Sequence, residues 1–172
     1  MLLVHNTLVG LNLRDKIKLG CAGKVVSAFD IARTLALGAD WCNSARGFMF
    51  ALGCIQVQTC HTGNFPSGVA TQDDQRARAL VVPTKAERVC HLHQNTLMAL
   101  KKLVHAAELI DPSMITAVHI VRRGAEQGVK LLANLLLFVA PGELLRGEMS
   151  QPVFRMYWPM AQASSFSVAR PV

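Results

Sequence analysis

The sequence predicts an α/β fold built on one parallel βαβ unit, and three observations within residues 17–47 predict it. Two short apolar segments, Ile17–Cys21 and Ala39–Cys42, read as strands. Each runs into a polar or glycine-bearing turn, Ala22-Gly-Lys24 after the first and Asn43-Ser-Ala-Arg-Gly47 after the second. Between them lies a helix marked at both ends. Ser27-Ala-Phe-Asp30 has the capping-box pattern, and Gly38 suits the left-handed position that closes a helix. Strand, helix and strand within roughly thirty residues require a crossover, so the two strands are expected to be parallel.

The remaining elements follow in order. Residues 1–16 place Leu2, Leu3, Leu8, Val9 and Leu13 before a charged Arg-Asp-Lys, which reads as a helix ending in a turn. Phe48 to Leu52 is a short helical turn, and its Phe-Met-Phe cluster reads as core, as does Met98. Gly53 to Gly68 is a loop, and Asp73 to Ala79 a polar helix. Pro83-Thr-Lys-Ala-Glu87 has a second capping-box pattern. It opens the longest helix, running to about Glu108, with Val89, Leu92, Thr96, Leu97, Leu100, Leu103, Val104 and Ala107 on one face. Asp111-Pro112 ends it. From Ile115 onward the chain changes character: an apolar stretch from Val129 to Phe138, then a tail rich in Ser, Pro and Ala.

Composition limits the function classes. The chain has 172 residues, 51% of them hydrophobic, which is apolar for one domain with a single core. Either an unusual share is buried or some apolar surface awaits a partner. The longest apolar run is too short to span a bilayer, and the N-terminus lacks a signal-peptide pattern. Five cysteines in a chain of this size do not make a disulfide framework and suit a reducing, cytoplasmic setting. The net charge of +7 is scattered, and aromatics are 6% of residues. No charged stripe with stacking groups emerges, so nucleic-acid binding is not expected. The surface suits anionic ligands. Cys90-His-Leu-His93 sits within the long helix at spacings that do not share a face, so no metal site is expected there.

A glycine-bearing turn at the end of a strand, before a helix, presents backbone N–H groups to an anion. Taken alone, such turns are equally the ordinary tight connections of a βα unit. A larger pattern extends beyond them. Gly10-Leu-Asn-Leu-Arg-Asp-Lys-Ile17, Gly23-Lys-Val-Val-Ser-Ala-Phe-Asp30, Ala36-Leu-Gly-Ala-Asp-Trp-Cys-Asn-Ser-Ala-Arg-Gly47, Phe50-Ala-Leu-Gly-Cys-Ile-Gln56 and Gly68-Val-Ala-Thr-Gln-Asp73 occur in that order. Together they resemble the FMN-binding synthase domain of glutamate synthase, most of all the shorter, stand-alone FMN-binding glutamate synthase family proteins. The resemblance covers most of residues 8–112.

It implies the C-terminal part of a (β/α)8 TIM barrel, strands seven and eight with their flanking helices, in residues 1–115. Residues 116–172 would be a helical or irregular extension wrapping that body. Barrels hold phosphate in the loops after strands seven and eight. The resemblance therefore assigns the FMN phosphate to Ala22, Gly23 and Lys24 and to Asn43, Ser44, Ala45, Arg46 and Gly47. The family usually has serine where Ala22 stands, so one hydroxyl donor is missing. The implied activity is FMN-dependent formation of L-glutamate from 2-oxoglutarate and ammonia.

Two departures qualify that activity. The family's three cysteines that ligate a [3Fe–4S] cluster correspond to Cys54, Cys60 and a third position held here by Phe65. Two thiolates do not complete a three-iron site. Furthermore, the chain begins just before strand seven, and it lacks the N-terminal cysteine nucleophile of a glutaminase. About a quarter of a barrel is then present, and the catalytic residues would lie in strands one to six. The expectation is therefore twofold: a contributor of the phosphate-binding end that docks on a partner chain carrying those strands or on itself, or a truncated non-catalytic remnant or interaction subunit.

Overall fold

The computed structural model describes residues 1–124 and 128–167. In chain order the first elements are α1 Leu2–Gly10, β1 Gly20–Ala22, α2 Ala28–Ala36, β2 Trp41–Asn43 and α3 Ala45–Leu52. They are followed by α4 Asp74–Ala77, α5 Val82–Ala106, β3 Val121–Arg123, β4 Val129–Leu131, α6 Leu132–Leu135 and α7 Pro152–Tyr157. The chain divides into two compact units, residues 20–116 and residues 1–19 with 117–172. This division groups α1 with the C-terminal segment.

In the first unit β1 and β2 pair in parallel, with Gly20 opposite Trp41, Cys21 opposite Cys42 and Ala22 opposite Asn43. The βαβ reading is thus met, with the strands displaced toward their C-terminal ends. Ile17 was expected in a buried strand. Instead its N–H donates to Leu13, Arg14 donates to its carbonyl, and its side chain is 42% exposed. The turn captures the chain before it can pair. Likewise, the N–H of Ala39 donates to Thr34, which leaves it in the close of α2.

The capping box of α2 is present. Asp30 N–H donates to the Ser27 hydroxyl at 3.2 Å, while the Asp30 carboxylate accepts from Ser27 N–H at 3.0 Å. Those hydrogen bonds, the Ser27 N–H first, hold the Asp30 carboxyl below its ordinary range. Gly38 follows at positive φ, as the helix-end pattern requires. The second expected capping box is absent. Helix α5 is capped at Val81 without a side-chain bond, so Thr84 is already helical and cannot act as an N-cap. Pro83 explains the earlier start, because proline fits the first turn, where its missing N–H has no partner to lose.

Helix α5 packs on α2 and α3. Only one narrow stripe of it, Val89, Leu92, Thr96, Leu100 and Val104, is turned inward. Leu97, Leu103 and Met98, expected inside, are exposed because nothing in this unit covers their side of the helix. The open face of the β1–β2 pair is bare as well. The Trp41 indole lies across Gly20, so close that a Cβ there would meet the ring at 2.5 Å, yet Trp41 is 49% exposed. Much of the apolar excess in the composition is therefore surface.

The second unit is held by long-range polar clips around a small core of Val139, Leu144 and Phe154. Asn6 on α1 is 1% exposed. It donates to the Leu137 carbonyl at 2.9 Å and accepts from Val139 N–H. Gln151 donates to the same Leu137 carbonyl. The hairpin β3–β4 was not expected; the apolar run from Val129 resolves into β4, α6 and extended chain.

Glu143 is buried, yet it is a carboxylate that accepts from Ser150 N–H and Oγ and from Ala140 N–H. Those bonds, the Ser150 hydroxyl first, hold its acid below the ordinary 4.5. A depressed carboxyl stabilises the fold above its unfolded-state pKa and loses that contribution as pH falls through the folded value. Stability of this unit should therefore begin to fall below about pH 4.5. Glu143→Gln should lower the denaturant midpoint at pH 7 and flatten the acid limb. An unchanged acid limb in that variant would remove Glu143 from this role.

Candidate anion-binding site

The parallel register sets the site. Because Ala22 stands opposite Asn43, both strands end side by side and both turns open on the same edge. Gly23 has φ of +126° and Lys24 φ of +54°, so the first turn is left-handed over two residues. Glycine permits that at Gly23 without steric cost. The second turn is shorter than the sequence suggested, because α3 begins at Ala45 rather than near Phe48. Ala45, Arg46 and Gly47 therefore form the first helical turn, whose N–H groups have no partner within the helix.

Ser44 is the N-cap of α3 but makes no side-chain cap. Its hydroxyl instead donates to the Val25 carbonyl at 2.7 Å, joining the second turn to the first. Gly47 makes that possible. A Cβ at Gly47 would lie 2.9 Å from the Ser44 Oγ and 3.6 Å from the Val26 backbone. The N-terminus of α3 thus remains open to an acceptor from outside, and the aligned peptide dipoles favour a negative one.

Lys24, Asn43, Ala45 and Arg46 are exposed, and Ala22 and Gly23 lie beside them on the surface; Ser44 is half-buried and Gly47 buried. Among the described residues no carboxylate pairs with Lys24 or Arg46. The eight residues drawn from sequence therefore meet along one edge. Lys24 and Arg46 bring cationic donors and the first turn of α3 brings backbone N–H groups, while the Ser44 hydroxyl and the missing side chain of Gly47 set the spacing. The Ser44–Val25 bond carried no sequence signal, since a serine at an N-cap ordinarily bonds its own helix.

On the far side of Arg46 lies a cleft of about 360 Å³ lined by Arg46, Met49, Phe50, Cys54, Gln56 and Cys60 among others. Met49 and Phe50, read as core from the sequence, form its wall. The two cysteines in the family's cluster positions open onto this cleft, whereas the third position does not offer a ligand. Phe65 is 1% exposed and is the largest fully buried side chain of the chain's described residues together with Asn6. The loop around it is tied by hydrogen bonds: Gln72 N–H and the Thr71 hydroxyl both donate to the Gly63 carbonyl, and Arg76 donates to the Asn64 carbonyl. Among the described residues no three His, Cys, Asp or Glu side chains gather at a metal-binding distance. This donor set does not fit a [3Fe–4S] cluster.

A parallel strand pair ending in two turns places backbone N–H groups and two cationic side chains along one edge, an arrangement whose dipoles favour an anion. Comparison with known proteins narrows this. Residues 1–109 match the family model described as the conserved region in glutamate synthase, so the chain belongs to the glutamate synthase family. It is 37% identical over 134 residues to the glutamate synthase large subunit-like protein YerD of Bacillus subtilis, an alignment covering 78% of this chain and 26% of that protein. It is 39% identical over 80 residues to ferredoxin-dependent glutamate synthase 1 of Arabidopsis thaliana, covering 46% of this chain and 5% of that one. The glutamate synthase [NADPH] large chain of Bacillus subtilis is 35% identical over 71 residues, 41% of this chain and 5% of its own length. The chain thus spans a small part of the curated relatives it matches. Among the described residues no helix is long and apolar enough to cross a membrane.

Replacing Phe65 with alanine should cost about 3–5 kcal/mol, the usual range for a fully buried phenyl group. Incubation with ferrous iron and sulfide should leave the wild-type chain without cluster absorbance in the visible. A stable Phe65→Ala protein, or a cluster bound by the wild type, would contradict the packing described.

Proposed function

We propose that this chain supplies the phosphate-binding end of an FMN-dependent glutamate synthase barrel, with Ala22–Lys24 and Asn43–Gly47 holding the phosphate. In this reading β1 and β2 are strands seven and eight of a (β/α)8 barrel. The observation that carries it is the open N-terminus of α3 beside a left-handed glycine turn, with Arg46 unpaired at its edge. When bound, FMN supplies the hydride chemistry that converts 2-oxoglutarate and ammonia to L-glutamate. This chain's part is binding and placement. The N–H groups of Ala45, Arg46 and Gly47 donate to the phosphate oxygens, and Arg46 adds a charged fork of donors. Lys24 contributes a second positive charge from the other turn.

The bare face around Trp41 and the uncovered side of α5 support a partner or a second copy bearing further barrel strands. The same exposed surfaces, together with Phe65 in the cluster loop, support a second reading, a non-catalytic interaction subunit. Flavin retention separates the two. The purified chain is mixed with FMN, gel-filtered and scanned in the visible. Under the first reading stoichiometric flavin is retained. Arg46→Ala should then weaken binding at least about tenfold, since a hydrogen bond to a charged partner contributes roughly 1.5–3 kcal/mol. A chain that binds no FMN, alone or with inorganic phosphate as competitor, favours the second.

A further inference from the structure

Cys21 and Cys42 play no part in the anion site, yet they are directly paired across the only parallel ladder among the described residues. Residues in register on neighbouring strands point to the same face of the sheet. Both are half-buried while Gly20, Ala22, Trp41 and Asn43 around them have the alternate orientation. The two thiols thus share the face toward α2, and the Thr34 hydroxyl of that helix reaches Cys42. Neighbouring strands run about 4.8 Å apart, inside the roughly 4.4–6.8 Å that separates Cα atoms in a disulfide. Both cysteines are free.

We propose that Cys21 and Cys42 form a reversible thiol–disulfide site at the base of the two turns. Hydrogen peroxide oxidises the Cys21 sulfur to a sulfenic acid: the O–O bond breaks, one oxygen bonds to sulfur and the other leaves as water. The Cys42 sulfur then attacks the Cys21 sulfur, the S–O bond breaks, and a second water departs. In sum, two thiols and one peroxide give one disulfide and two waters. Burial, with the Cys21 sulfur beside it, pushes the Cys42 thiol up, which makes Cys42 the resolving partner rather than the first to react. Side chains in register on parallel strands stand farther apart at Cβ than the approximately 3.8 Å of a relaxed disulfide. The bridge is therefore strained, and strained bridges are the readily reduced ones. Because each cysteine immediately precedes or abuts its turn, closing the bridge draws Ala22 and Asn43 together. The site stands whether or not the turns hold FMN.

The test is peptide mapping of the full native chain after stoichiometric hydrogen peroxide and alkylation of remaining thiols. Trypsin should release Leu19–Lys24 joined to Thr34–Arg46, lost on reduction with dithiothreitol and absent from Cys21→Ser and Cys42→Ser. Recovery of both peptides fully alkylated would overturn the proposal, as would bridges formed solely among Cys54, Cys60 and Cys90. Should either variant fail to fold, the wild-type map alone decides.

Discussion

The hydrogen bond from the Ser44 hydroxyl to the Val25 carbonyl governs the geometry of the edge where the two turns meet. It removes a serine from the role its position would normally give it, capping its own helix. The consequence is double. The second turn is fixed against the first, and the first turn of α3 is left with donors pointing outward. Gly47 is the residue that keeps this arrangement in place, since any side chain there would push into the Ser44 hydroxyl. A helix start without a side-chain cap leaves its first N–H groups to solvent or to an acceptor from outside. The capping box at Ser27 and Asp30 complements it from the other side, because it fixes where the first turn must enter α2.

The strands contribute little by themselves. Three residues each, they make a ladder too small to stand alone in water. What holds them is α2 on one face and α5 behind it, while the opposite face carries an indole lying over a glycine. An open apolar face next to a set of outward-pointing donors is what a portion of a larger barrel would show. The chain spans 26% and 5% of the length of two relatives it matches. The unpacked side of α5 and the bare sheet face leave Leu97, Met98, Leu103 and Trp41 exposed.

How much of this could be read in the sequence differs by element, and the differences are physical. The helix α2 was legible at both ends because Ser27, Asp30 and Gly38 act through local bonds alone. The parallel pair was legible because only a crossover joins strands that close. The strand limits were not, since the Ile17 N–H is taken by a turn bond to the Leu13 carbonyl that no periodicity reveals. Thr84 failed as a cap because Pro83 let the helix begin one turn-position earlier. The hairpin of β3 and β4 was hidden because β3 is Val-Arg-Arg, with no apolar pattern, and β4 is only the first three residues of the run from Val129. The two turns were legible as strand ends, whereas the bond that joins them was invisible, being made between residues nineteen apart in the chain.

Phe65 shows how the same loop can be held in two unlike ways. A cluster would tie three thiolates to one inorganic core, giving the loop cohesion through metal–sulfur bonds. A buried phenyl ring does so through the exclusion of water and dispersion contacts, and it needs no iron, no sulfide and no particular redox state. The two solutions exclude each other at one position, because a ring that fills the loop leaves no room or ligand for the core. Cys54 and Cys60 are left facing a cleft rather than a metal.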